Sequence, residues 1–132
     1  KNISDYYVDL QNNILYYYVI GEGLYQCRLD SSEQKLIYKA DATIAVASLS
    51  FDGRYLYMGN GGIGSATDAK SSIDRVVYVL DTDGNVCNKI NMQSNMKLYY
   101  GDADYLFAES GDKVFYISKA DILTAQEWKE LE

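Results

Sequence analysis

The chain has no histidine and no proline, and only two cysteines in 132 residues. Without histidine it cannot assemble Ser-His-Asp or Cys-His nucleophilic machinery, and it offers no imidazole to a metal. Cys27 and Cys87 lie far apart and show no C-x-x-C spacing, so no metal site is expected from them. Each sits in a strand-like apolar run, where a buried free thiol is the expected state; a disulfide between them stays open. No apolar run approaches the ~20 residues of a membrane-spanning helix. Basic residues are scarce, with 12 Lys and Arg against 19 Asp and Glu and a net charge of −7. With no basic cluster, phosphate-backbone binding and docking on anionic lipid are both disfavoured. The acidic balance mainly supports solubility.

What is present points to β structure. The chain is 48% hydrophobic and 23% charged, which argues against disorder, and its length suits one domain. Fourteen tyrosines are in excess. A large amphipathic ring suits a half-buried pleated surface, so an all-β fold is expected. The chain begins at Lys1 and carries no signal-like segment, so it reads as a mature product or as an excerpt of a longer protein. The final pair Leu131-Glu132 matches what an expression vector commonly leaves ahead of a histidine tag, and is read either as a cloning remnant or as native sequence.

Short runs of Tyr, Val, Ile and Leu alternate with turn signals along the whole chain. Strands are expected at 6–10, 14–20, 24–29 and 35–39, then at 44–49, 54–58, 75–80 and 86–91, then at 97–100, 105–108 and 113–118. The tail 119–132 is open to two readings: a helix by propensity over ADILTAQEWKEL, or, by the repeat, a last strand near 127–131 after a helical turn. Asp52-Gly53 is a strong signal for a tight hairpin turn. The series therefore restarts twice. Leu15, Leu56 and Leu106 take equivalent places in the second strands, each followed by an aromatic residue, Tyr16, Tyr57 or Phe107. The steps of about 41 and about 50 residues match one four-stranded propeller blade. Leu29, Leu80 and Ile117 are the expected third-strand equivalents. Three blades follow, at 1–41, 42–93 and 94–132, within a single propeller-like segment. Runs such as ILYYYVI and RVVYVL are apolar on both faces, as expected of sheets packed between neighbours.

SFDGRYLYMGN (50–60) resembles the S-P-D-G-x-x-[LV]-Y-V-[AT]-N element of the YVTN and lactonase-type β-propellers. RVVYVLDTDGNVCNKI (75–90) is similar to the element that follows it in those families. The resemblance is best in the middle blade. Phe51 stands where the family usually has proline, and Met58-Gly59 replaces a Val-Ala/Thr pair. The resemblance implies a β-propeller fold and leaves activity open, because these families include lactonases, dehydrogenase subunits and surface or binding proteins. Lactonase active sites draw residues from several blades around the axis, and most of those are not in this chain. Propellers have four to eight blades. Three blades therefore imply the remainder of a larger propeller, which is favoured, a second copy of the chain, or an open three-sheet array capped by its partners.

Candidate sites are few. Asp81-Thr82-Asp83-Gly84-Asn85 has the start of a calcium loop but lacks the later bidentate Glu, so Asp81, Asp83 and Asn85 read first as turn formers. Gly59-Asn60-Gly61-Gly62-Ile63-Gly64 lacks the lysine and helix of a phosphate-binding loop. It opens a long polar segment, 59–74, whose Asn60, Asp68, Lys70 and Asp74 are candidate binding residues, since long loops on rigid scaffolds often carry function. Tyr17, within the Tyr16–Tyr18 run, is a candidate stacking residue for a sugar or peptide, against the ordinary reading of tyrosine as packing. No catalytic residue and no cofactor is expected. The functional reading is a non-catalytic scaffold or recognition module for protein or carbohydrate, of bacterial type and with an extracytoplasmic or cell-surface location favoured. The alternative is a fragment of a lactonase or hydrolase-type propeller enzyme with its active-site residues outside this chain. A purely structural segment is the third reading.

Overall fold

The computed structural model describes residues 2–39, 47–60, 76–92, 96–99, 101 and 104–131. Among the described residues twelve strands form three four-stranded antiparallel meanders. The first sheet contains β1 (Ile3–Asp9), β2 (Ile14–Val19), β3 (Gly23–Arg28) and β4 (Gln34–Lys39). The second contains β5 (Ala47–Phe51), β6 (Leu56–Asn60), β7 (Val76–Leu80) and β8 (Val86–Asn91). The third contains β9 (Lys97–Tyr99), β10 (Tyr105–Ser110), β11 (Lys113–Ser118) and β12 (Lys129–Leu131), with one 3-10 turn at Lys119–Asp121 between its last two strands. No α-helix occurs among the described residues, and none of their helices is long and apolar enough to cross a membrane.

The middle sheet is packed on both faces, and the pleat decides which residue goes where. Successive side chains of a strand point to opposite faces. Leu56, Met58, Tyr78 and Leu80 accordingly join Tyr16, Tyr18 and Leu24 of the first sheet in one core. Tyr57, Val77 and Val79 join Leu98, Leu106, Ala108, Phe115 and Ile117 of the third sheet in the other. β7, in VVYVL, is buried at every position for this reason. Tyr16 and Tyr57 thus face the following sheet, and Leu56 and Leu106 face the preceding one. The first two sheets converge on their first strands, where β1 packs on β5 and the Asp5 carboxylate accepts the Leu49 N–H at 2.7 Å.

Several boundaries differ from the sequence reading, each for a local reason. β5 runs to Phe51 and β6 starts only at Leu56, because Asp52 holds the amides of Arg54 and Tyr55 in the turn. The Asp-Gly pair therefore belongs to a four-residue connection, with Gly53 at φ 95°, not to a two-residue one. β6 also continues through Gly59 and Asn60, which pair with Ser48 and Ala47, so the long segment opens later than expected. Leu56 pairs with Leu80 and Leu106 with Ile117, but Leu15 pairs with Cys27; Leu29 lies beyond β3 and is 47% exposed. Both cysteines are free, Cys27 half-buried and Cys87 exposed. The expectation of burial fails for Cys87 because β8 is the outer strand of its sheet and buries only Ile90.

Candidate functional site

Three turns are built on an aspartate whose carboxylate collects local hydrogen bonds. Asp9 accepts from the Asn12 side chain at 2.9 Å, and Asp81 accepts from Asp83 N–H, Asn85 N–H and the Asn85 side chain at 2.9–3.0 Å. Asp52 accepts the N–H groups of Arg54 at 2.9 Å and Tyr55 at 2.8 Å on one oxygen. Its other oxygen accepts the Tyr57 hydroxyl at 2.5 Å. Such side chains replace the missing partners of turn amides, which is why Asp recurs at these places.

Asp52 is also the centre of a cleft. A hollow of about 640 Å³ is lined by Tyr7, Asp9 and Gln11 at the β1–β2 turn, by Ser50, Phe51, Asp52 and Gly53 around the β5–β6 turn, and by Gly101 and Lys119 from the third sheet. A second hollow of about 430 Å³ shares Asp52 and Lys119 and adds Arg54, Tyr55, Asp104, Tyr105 and Ser118. All three sheets thus contribute to one end of the array. Lys119 follows β11 directly, and its N–H donates to the Asp104 carbonyl at 2.8 Å, which carries the chain across this end. Its ammonium lies 4.6 Å from the centre of the Tyr57 ring, a cation–π contact. Arg54 lies over the Tyr55 ring at 5.3 Å.

The electrostatics hold Asp52 and Tyr57 in opposite protonation states. Burial pushes the Asp52 carboxyl up, but the hydrogen bonds from Tyr55, Tyr57 and Arg54 and the charge of Lys119 outweigh it and hold it below the usual carboxylate range. Burial, reinforced by the Asp52 hydrogen bond, pushes the Tyr57 hydroxyl well above the usual phenol range. At neutral pH one stays ionised and the other protonated, so the pair is a fixed hydrogen-bonded strut. Tyr7 and Phe51 meet edge to face at 6.2 Å beside it, giving the cleft an aromatic wall.

The residues singled out in the sequence fare differently. Tyr17 stands in β2 with only 7% of its surface exposed. Its ring stacks on Tyr25 at 5.3 Å and its hydroxyl donates to Gln34 at 2.5 Å, so both its face and its polar tip are engaged. Asn60 ends β6, at the opposite end of the sheet from the Asp52 turn. Asp68, Lys70 and Asp74 lie outside the described residues. Asp81, Asp83 and Asn85 meet in one turn, where backbone and side-chain hydrogen bonds from Asn85 hold the Asp81 carboxyl below its ordinary range. Among the described residues no group of three or more His, Cys, Asp or Glu could hold a metal ion. Asp52 is in the repeat motif, but its role as a cleft residue went unread. Lys119 has no sequence signal at all, since the fold alone brings it to Asp52 from the third sheet.

The packing of three antiparallel meanders face to face defines the class: a β-propeller-like array, all-β and partial. Comparison with solved structures supports this. The chain is similar to two β-propeller structures, KlHsv2 with loop 6CD replaced by a Gly-Ser linker and Kluyveromyces lactis Hsv2 with complete loop 6CD. The TM-score is 0.54 in each case, at 10% and 9% identity, over 99% of this chain. The chain spans only 38% and 35% of the length of those structures, so the likeness is to a sector of the ring. No family model and no curated protein sequence matches the chain.

Proposed function

We propose that this chain is a non-catalytic propeller segment that recognises carbohydrate through the cleft around Asp52 and Lys119. The observation that supports it is the composition of that cleft. Carboxylates (Asp9, Asp52), an amide (Gln11), a hydroxyl (Ser50) and an ammonium (Lys119) surround an aromatic wall of Tyr7 and Phe51. Sugars present hydroxyls in both donor and acceptor roles on a ring with apolar faces, and this mixture of groups suits them. The chain contains no histidine, and the Asp52–Tyr57 pair is not poised for acid–base work, which favours recognition over hydrolysis. On this reading the repeat is of the YVTN and lactonase type, with blades at 1–41, 42–93 and 94–132 completed by further blades. Asn60, Asp68, Lys70 and Asp74 are further proposed recognition residues.

The test is a glycan array followed by titration calorimetry on any hit, using the wild-type chain beside Lys119→Ala and Phe51→Ala. Saccharide binding that both substitutions weaken by about tenfold or more, with folding intact, is the expected outcome. Binding that neither substitution affects, or no binding on the array, removes the cleft from consideration and leaves a structural segment.

A further inference from the structure

The junction of the first two sheets and the junction of the last two share one frame and differ in charge. Val8 pairs with Leu15 and Phe51 with Leu56, so Asp9 and Asp52 take the same place in their repeats. Leu80 pairs with Leu56 and Ile117 with Leu106, so Thr82 and Lys119, each two residues on, also correspond. At the first junction the Thr82 carbonyl accepts the Gln26 side chain at 3.1 Å. At the second, the Lys119 ammonium lies over the Tyr57 ring. The turn after Asp9 is Leu10, Gln11, Asn12 and Asn13, whereas the turn after Asp52 holds Arg54. The second junction therefore carries two cations where the matching positions of the first carry none, in a chain of net charge −7. A position that departs from its own repeat is where a site is grafted on a fold.

Both cations line the hollow of about 430 Å³ and an adjoining one of about 150 Å³, bounded by Arg54, Tyr55 and residues 119–124. The larger hollow sets them against Asp52 and Asp104, and the smaller against Asp121 alone. The positive excess therefore lies at the Arg54 end. Arg54 is exposed and forms an ion pair with no carboxylate among the described residues. Its contact with the Tyr55 ring is electrostatic and consumes none of its five N–H donors. We infer that the saccharide taken by this cleft is acidic, with one carboxylate seated at Arg54 and the remaining sugar units running over Asp52 toward the Asp9–Gln11 turn. The inference rests on the carbohydrate reading and adds the ligand's charge and direction. A guanidinium fork matches a carboxylate through two parallel hydrogen bonds, and Lys119 adds a second positive charge from the third sheet. A polyanion does not suit the groove, because Asp9, Asp52 and Asp104 line the rest of it.

The test is an array of oligosaccharides that each carry a single uronic acid, printed beside their methyl esters and beside neutral oligosaccharides, with calorimetry on the tightest acid and its ester. The ester keeps the shape of the acid and removes its charge. The wild-type chain is compared with Arg54→Gln, which keeps the backbone N–H that Asp52 holds and changes only an exposed side chain; circular dichroism checks its fold. The wild type is expected to bind the acid about tenfold or more tighter than the ester, and Arg54→Gln to lose that preference while still binding the ester. Added salt is expected to weaken the acid and leave the ester unchanged. Equal binding of acid and ester, a preference for neutral saccharides, or an acid preference that survives Arg54→Gln overturns the inference. The first two outcomes leave the carbohydrate reading standing. No binding to any saccharide removes both.

Discussion

Replacing Gly84 by alanine probes how closely the first two sheets are fitted together. Gly84 sits in the β7–β8 turn at φ 88°, where a side chain is strained whatever the space around it. A Cβ there would lie 1.9 Å from the Ile37 carbonyl oxygen and 2.6 Å from its carbon, both backbone atoms of β4. Either the turn or the strand must give way by about 1 Å, and a close-packed junction resists that. Gly53 provides the control, with φ at 95° and nothing within 4 Å of its notional Cβ. Gly53→Ala therefore carries only the conformational cost, about 1–2 kcal/mol. Gly84→Ala adds overpacking of about 1–3 kcal/mol, for a total of about 2–5 kcal/mol. Urea unfolding of both variants, followed by circular dichroism, measures the difference. If Gly84→Ala comes within about 0.5 kcal/mol of Gly53→Ala, the claim that the β7–β8 turn is wedged against β4 is wrong.

Two further outcomes are expected. The folded-state pKa of Asp52 is depressed, so its contribution to stability is present above the unfolded value near 4 and is lost as pH falls through the folded value. Asp52→Asn should therefore be less stable than wild type at neutral pH and lose less on acidification below about pH 4, measured as unfolding midpoints across that range; parallel pH profiles would refute it. Asn88 donates to the carbonyls of Ile122 at 2.9 Å and Ala125 at 2.8 Å, tying the third sheet's 3-10 segment to β8. Asn88→Ala should cost about 1–3 kcal/mol and make Trp128, whose indole donates to Asn91 at 3.1 Å, more accessible to a fluorescence quencher. An unchanged quenching curve would show that the segment is held by other contacts.

Most of the fold was legible because it is local. Strands of three to seven residues, turn signals and a repeating Leu-aromatic pair are written in consecutive positions. What misled the reading was competition inside turns: the Asp52 carboxylate withdraws Arg54 and Tyr55 from β6, so a tight Asp-Gly hairpin became a longer one. Apolar neighbours in sequence likewise suggested burial for Cys87, but an outer strand has too few neighbours in space to provide it.

The sequence by itself determined the all-β class, the three-fold restart of the meander and the exclusion of histidine chemistry, since each depends only on residue type and period. Tertiary structure alone decided the direction each sheet faces, the engagement of Tyr17 by Tyr25 and Gln34, and the meeting of Asp52 with Lys119. Those contacts join residues many positions apart, and distance along the chain carries no information about them. They arise when three pleated sheets, each unable to bury its faces alone, pack against one another and bring their turns to one end.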